Sequence, residues 1–375
     1  MKILFTGGGT GGHILPILAI VREIRYIYSQ KDILEIYYVG PRDPFVQLLS
    51  EEGVIVRNIL AGKIRRYFDP ISILQNVFDV FVKIPIGLIQ ALFQVFIIAP
   101  DVIFSKGGYG SVPVTVSGWI MQVPIFMHES DVSPGMANRW LGQFAKEIFV
   151  SFPIRDMEFF PTQRMISVGN PIRHEIINGS ENEAKKIFGL VGDRPLLLII
   201  GGSQGARKIN ETILDVVDEM LMNFEIIHQT GNDNFNQVSR EARVVIVDAN
   251  KKYYHPYPFL DETQMANAYK AATIIVGRSG SGTIFEIAAN GKPSVLIPLP
   301  GAAQNHQAKN AYSYSKWRGA IVIEQDNLSP HFFLEKLKAL AFTPGKLEYM
   351  GKQAKEFSRP QAARIIAEYL LAYLR

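Results

Sequence analysis

Residues 1–16, MKILFTGGGTGGHILP, contain three kinds of sequence in immediate succession. Lys2-Ile3-Leu4-Phe5-Thr6 is a short apolar run of the kind that forms a buried strand. Residues 7–12 are glycine at five of six positions, and residues 14–28 carry the apolar spacing of a helix. A strand, a flexible turn and a helix make a binding element. Glycines admit backbone amides close to a ligand, and the helix that follows presents its partially positive end to the turn. The expected ligand is a phosphate, or a sugar that carries one. The turn also fits G-x-G-x-x-G at Gly7, Gly9 and Gly12, a dinucleotide signature, but so glycine-dense a run matches that pattern almost by default. The next strand, 33–39, runs into Gly40-Pro41-Arg42-Asp43 rather than directly into a ribose-binding acid, and His13 is foreign to a nicotinamide site.

Composition narrows the classes. The chain has 375 residues, 47% hydrophobic and 20% charged, which predicts a globular protein of two domains. There is no cysteine, so disulfides, thiolate chemistry and Cys-ligated metals are excluded. A net charge of +4 suits an anionic lipid or phosphate partner. No RNP-like or zinc-finger spacing is present, and no nucleic-acid partner is expected. The amino-terminal residues lack a charged-then-apolar export signal, so a cytoplasmic location is expected.

Further along, strands are expected at 33–39 and 54–59 around a helix at 44–52. Residues 71–99 are the most apolar part of the chain, with Ser72, Gln75, Asn76, Asp79, Lys83, Gly87, Gln90 and Gln94 drawing one narrow polar stripe at helical spacing. Asp79, Lys83 and Pro85 argue against a membrane span and predict a bend near Pro85. Two readings remain: a helix pair buried in the core, or an apolar face touching a membrane and edged by Lys63, Arg65 and Arg66. A strand at 101–104 opens into a second glycine turn, SKGGYGSVP, and the strand at 123–127 runs into His128-Glu129-Ser130-Asp131. Ligands of open α/β sheets sit beyond the carboxyl ends of the strands, so these edges are expected to converge on one crevice.

After 169–173, GNPIR, the pattern starts again. A strand at 195–200 precedes GGSQGAR, and a helix begins near Ile209. Strands are predicted at 224–228, 244–247 and 274–276. Residues 277–286, GRSGSGTIFE, read as strand end, turn and helix start, where Glu286 is placed either to bind a vicinal diol or to complement the helix dipole. The amide-rich loop 299–307 suits sugar hydroxyls. Two sheet domains facing a cleft, each with a glycine turn, fit a ligand of two parts.

Eight ordered motifs, GGGTGGHILP, SKGGYGSVP, HESDVSPG, VGNPIR, GGSQGAR, PFLDETQMANAY, GRSGSGTIFEIAANGKPSVLIPLP and NHQAKNA, closely resemble the MurG family of bacterial N-acetylglucosaminyltransferases across residues 2–312. The resemblance implies a glycosyltransferase-B fold of two Rossmann-like domains. The amino-terminal acceptor domain would span 1–172 and the donor domain 173–355, with a terminal helix at 356–375 packing back on the first domain. It implies inverting transfer of GlcNAc from UDP-GlcNAc to the 4-hydroxyl of lipid I, at the cytoplasmic face of the membrane as a peripheral protein. Thr10, Gly11 and Gly12 would meet the donor sugar and acceptor diphosphate. Arg173 and Ser203 would lie near the donor diphosphate, Leu260 beside uracil through its backbone, Ser281, Gly282, Thr283, Ile284, Phe285 and Glu286 around phosphate and ribose, and Gln307 on the sugar. Asp131 stands where the family has a donor-contacting asparagine. The same resemblance implies neither metal nor cofactor; backbone amides with Arg173 or Arg207 would meet the leaving group. His13 is the expected general base, with His128 and Asp131 as rivals. The competing readings are a lipid glycosyltransferase using another acceptor such as diacylglycerol, a UDP-GlcNAc isomerase, and a nicotinamide oxidoreductase.

Overall fold

Every strand pairing among the described residues is parallel, as expected for strands that are apolar on both faces. The structure is a computed structural model that describes residues 1–8, 11–28, 34–65, 69–157, 159–201 and 206–374. Thr10 and Ser203 lie outside these. The chain divides into two units, Met1–Arg173 with Pro360–Arg375, and His174–Arg359.

In the first unit the order along the chain is β1 (Lys2–Thr6), α1 (Gly11–Ile27), β2 (Glu35–Gly40), α2 (Val46–Glu51), β3 (Ile55–Asn58), α3 (Pro70–Phe78), α4 (Ile84–Ile98), β4 (Val102–Ser105), α5 (Val112–Ile120), β5 (Ile125–Glu129), α6 (Met136–Leu141), β6 (Glu147–Val150) and β7 (Met165–Ser167). The sheet runs β3-β2-β1-β4-β5-β6-β7, so the winding direction reverses between β1 and β4. Such a reversal opens the sheet's carboxyl edge there. One face is covered by α1, whose Ile14, Ile17, Leu18, Val21 and Ile24 join Ile3, Phe5 and Phe104 in one core.

The other face is covered by α4, and here the apolar stretch behaves unexpectedly. Asp69 caps α3 by accepting from the Ser72 amide (2.9 Å), and a π-helical turn at Asp79–Lys83 joins α3 to α4. Only a strip of this 29-residue helix is covered: Ser72, Asp79, Gly87, Ala91, Val95 and Ile98. Much of the polar stripe points inward, against the extended segment 60–65. Asn76 accepts from the Arg65 amide (2.8 Å) and donates to its carbonyl (2.7 Å), Gln90 accepts from the Leu60 amide (2.8 Å), and Asp79 ion-pairs with Arg65 and Lys83, both at 2.7 Å. The apolar side faces outward instead, with Ile71, Leu74 and Phe81 respectively 70, 71 and 75% exposed. Of the two readings, the helix pair buried in the core therefore does not hold. The segment's backbone polar groups needed partners, and the polar stripe supplied them, which turned the apolar side out.

The second unit contains α7 (Glu181–Phe188), β8 (Leu196–Ile200), α8 (Arg207–Leu214), α9 (Val217–Leu221), β9 (Glu225–Gln229), α10 (Asn232–Val245), β10 (Tyr254–Tyr257), α11 (Glu262–Ala271), β11 (Ile274–Gly277), α12 (Ser281–Ala289), β12 (Ser294–Leu296), α13 (His306–Ser315), β13 (Ala320–Val322), α14 (Pro330–Phe342) and α15 (Lys346–Phe357). Its sheet runs β10-β9-β8-β11-β12-β13, all parallel. The strand expected at 244–247 is absent: Val244 and Val245 finish α10, and the edge strand is β10. Val244 is 85% exposed, so its β-branched neighbours reflect a helix end rather than a sheet. The edge position also explains how β10 carries Pro256.

The last helix, α16 (Ala362–Tyr373), belongs to the first unit, where Ile366, Leu370 and Leu371 enter the core beside α1. Burial of those three side chains contributes roughly 6 kcal/mol of transfer free energy. Tyr369 adds edge-on contacts with Phe126 (5.5 Å) and Phe149 (5.3 Å), and its hydroxyl donates to Glu147.

Candidate active site

At the carboxyl edge of the first sheet, β1, β4 and β5 end side by side and their loops interlock. The Lys106 amide donates to the Thr6 carbonyl (2.8 Å), and Tyr38 donates to the Gly7 carbonyl (2.8 Å). Gly108 lies against the His13 ring: a side chain there would sit 2.9 Å from His13 Nε2. Gly107, at φ +84°, has no room for a Cβ beside the Asn138 amide. That amide ties two loops together. Asn138 Oδ1 accepts from the Gly108 amide (2.9 Å), while Nδ2 donates to Glu129 Oε2 (2.6 Å). Glu129 Oε1 accepts in turn from the Asp131 amide (2.9 Å). Lys106, 2% exposed, donates through Nζ to Ser130 Oγ.

This enclosure perturbs His13, Lys106, Glu129 and His128. Burial, reinforced by the Lys106 charge and opposed by Asp131, lowers the His13 pKa to about 4, so the ring is neutral near pH 7. Burial lowers Lys106 to about 8, with Glu129 and Asp131 resisting. Glu129 is raised, by burial first and then by the neighbouring Asp131 carboxylate. His128 lies inside β5 rather than after it and is fully buried. Its Nε2 meets the Gly169 carbonyl (3.0 Å) and Ser151 Oγ (3.3 Å), and burial followed by the Lys106 charge holds its pKa well below the usual value.

The second unit offers a different surface. The α12 helix begins after Gly280, and neither Gly280 nor Gly282 has an atom within 4 Å of where a Cβ would stand. The first-turn amides at Ser281, Gly282 and Thr283 have no partner within the helix. Ile284 and Phe285 turn into the core, at 0 and 2% exposure. Glu286 accepts from the Tyr269 hydroxyl (3.0 Å), which orients the carboxylate. Leu260 is buried and its amide donates to Gln229 Oε1 (3.3 Å). Gln307 Oε1 accepts from the Leu299 amide (3.0 Å), and its carbonyl accepts from Ser279 Oγ (2.8 Å). Just before it, Gln304 and Asn305 both hold left-handed backbone (φ 58° and 53°), a costly conformation that clusters at ligand-binding loops.

His13, Asp131, Gly11 and Gly12 thus belong to the first unit, and Leu260, residues 281–286 and Gln307 to the second. Arg173 is the last residue of the first unit's main segment. Lys106, Glu129 and Asn138 were not singled out from sequence, although a lysine between a buried strand and two glycines was a signal. Arg278 was missed as well. It braces the β11 end by donating to the carbonyls of Ile297 (3.1 Å) and Pro298 (3.2 Å) and to Gln325 Oε1 (2.7 Å).

Models of the glycosyltransferase family 28 N-terminal and C-terminal domains match residues 3–150 and 196–366. A UDP-N-acetylglucosamine–N-acetylmuramyl-(pentapeptide) pyrophosphoryl-undecaprenol N-acetylglucosamine transferase of Clostridium tetani is 33% identical over 341 residues, covering 90% of this chain and 89% of the relative. The chain belongs to the MurG family. A second member of the family, from Treponema denticola, is 31% identical over 99% of this chain and 97% of its own. Among solved structures, Acinetobacter baumannii MurG superposes with a TM-score of 0.75 at 22% identity, covering 99% of both chains. A UDP-GlcNAc 2-epimerase from Neisseria meningitidis, bound to UDP-GlcNAc, superposes with a TM-score of 0.66 at 14% identity, covering 99% of this chain and 100% of its own. At these identities both structures speak to the fold, two parallel α/β domains of the glycosyltransferase-B class, which MurG proteins share with such epimerases.

Proposed function

We propose that this protein transfers N-acetylglucosamine from UDP-GlcNAc to the 4-hydroxyl of the N-acetylmuramic acid in lipid I, with inversion, forming lipid II. The observation that carries this reading is the match to relatives named for that donor and acceptor, which covers 90% or more of the chain and so includes both domains. His13 is the general base. Its imidazole is neutral before substrate arrives, and it lies beside the Gly108 backbone at the sheet's open edge with the Asp131 charge in reach to stabilise the imidazolium that forms. Asp131 is the rival base. His128, enclosed within β5, is the least accessible of the three. The resemblance implies contacts of Thr10, Gly11 and Gly12 with the donor sugar and acceptor diphosphate, and this reading keeps them.

The donor binds on the second unit. Glu286 accepts from the ribose diol, the Leu260 backbone meets uracil, Gln307 meets the sugar, and the 281–283 amides receive the diphosphate, a role the resemblance also implies for Ser203 and Arg173. An anionic leaving group at a helix start is stabilised as charge develops on it.

The protein works as a peripheral enzyme on the anionic cytoplasmic face of the membrane. The helix of 70–98 is long and apolar enough to cross a bilayer. Yet Ala91, Val95 and Ile98 are part of a core with Leu4, Val39 and Ile103, so withdrawing the helix into lipid would open the domain. Docking the exposed side, with Lys63 and Arg65 near headgroups, leaves that core intact.

The test is transfer of labelled GlcNAc from UDP-GlcNAc to a short-chain lipid I analogue, with diacylglycerol and no acceptor as controls. Product on the lipid I analogue alone supports the proposal. Preference for diacylglycerol, or turnover of donor without acceptor, overturns it in favour of another lipid glycosyltransferase or an isomerase.

A further inference from the structure

We infer that Lys106 is a positioning residue for proton transfer: its buried ammonium, held by Ser130 between Glu129 and Asp131 in the chain, is the counter-charge of those two carboxyl groups beside His13. The inference rests on the reading of His13 as the base. Lys106 directly follows β4, yet its side chain runs inward and leaves the residue 2% exposed. The fold makes room for it at Gly7, where an added Cβ would lie 3.1 Å from the Lys106 Cβ and 3.7 Å from the His13 Cβ. Lysine and histidine therefore flank one glycine. Nζ is held by Ser130 Oγ, which donates onward to Asn170 Oδ1 (3.1 Å).

An ammonium enclosed in this way is unstable without compensating charge. The groups in electrostatic reach of it come from two elements: His128, Glu129 and Asp131 from β5 and the loop after it, and His13 from α1. Of the two carboxyl groups, Asp131 is the one whose charge favours the imidazolium of His13. Burial already disfavours protonation of both His13 and His128, and the lysine's charge adds to it. Glu129 is meanwhile held by Asn138 and by the Asp131 amide, so the ionisation state of the pair and the geometry of the loop are one property. Nζ bonds to a serine hydroxyl and not to a carboxylate, and its charge acts on His13, His128, Glu129 and Asp131 alike.

The experiment compares wild type, Lys106→Met and Lys106→Met/Asp131→Asn in the full-length protein. His13 is followed by NMR in histidine-labelled protein, its resonance assigned by loss in His13→Gln, and thermal unfolding is measured alongside. In Lys106→Met the His13 titration midpoint rises by about one pH unit and Tm falls by several degrees. Neutralising Asp131 as well recovers at least half of the Tm loss. An unmoved His13 midpoint, or a double variant no more stable than the single one, overturns the inference. If Lys106→Met does not fold, recovery of folding in the double variant supports it and failure to recover overturns it. Should the midpoint move while His13→Ala keeps full turnover, the reading of His13 as base falls and the placement of Lys106 stands.

Discussion

Replacing Ile71, Leu74 and Phe81 together by serine tests the outward apolar face where it is most exposed. Fully burying a side chain of this size is worth roughly 2 kcal/mol. With 70, 71 and 75% of each available to lipid, the three supply about 4 kcal/mol at full immersion, about a thousandfold in partitioning. Because they lie on the uncovered side of the helix, the cost to folding is small, within about 0.5 kcal/mol per site. Sedimentation with vesicles containing anionic lipid measures the loss of binding. Turnover on a water-soluble acceptor analogue and thermal unfolding serve as controls and are expected to be unchanged. Wild-type vesicle binding in the triple variant would refute the docking argument. A large fall in Tm would show that the face is an internal contact of the protein.

His13→Ala is expected to lower kcat by about a hundredfold or more while UDP-GlcNAc affinity by calorimetry stays within twofold of wild type. Asp79, nearly enclosed, feels burial pushing its pKa up, but hydrogen bonds from Lys83, Arg65 and the Lys63 amide outweigh that and the net shift is downward. A depressed carboxyl stabilises above its unfolded value, so Asp79→Asn should lose about 2 kcal/mol in denaturant unfolding at pH 7, with the gap closing as pH falls below about 4. Glu286→Ala should weaken UDP binding by roughly tenfold or more in titration calorimetry, the loss of a charge-assisted contact, with no matching loss for a ligand lacking ribose. Gly107→Ala forces a Cβ into Asn138 at positive φ, and is expected to cost about 2 kcal/mol or more in unfolding experiments.

Period and punctuation made much of this architecture legible. β1, β4 and β8 are unbroken apolar runs closed by glycines, and a strand buried on both faces has no other way to read. What misled was local pattern with a remote cause. The stripe from Ser72 to Gln94 is plain at helical spacing, but that Asn76, Asp79 and Gln90 within it bond to backbone groups of 60–65 is something no periodicity reveals. Val244-Val245-Ile246-Val247 has strand composition and ends a helix, whereas Tyr254–Tyr257 has a proline and forms the edge strand. In the site, His13 and Asp131 stand out by residue type. Lys106 and Asn138 do not, because their importance comes from loops that meet only after the sheet has brought β4 and β5 together.

The return of α16 to the first unit has a consequence for biosynthesis. A chain made from its amino terminus usually completes its leading domain first. Here α16 must leave the ribosome before Ile366, Leu370 and Leu371 can seal the core around α1. The portion translated first is thus the last to be finished, and a nascent chain stalled short of residue 362 exposes the groove that α16 would fill.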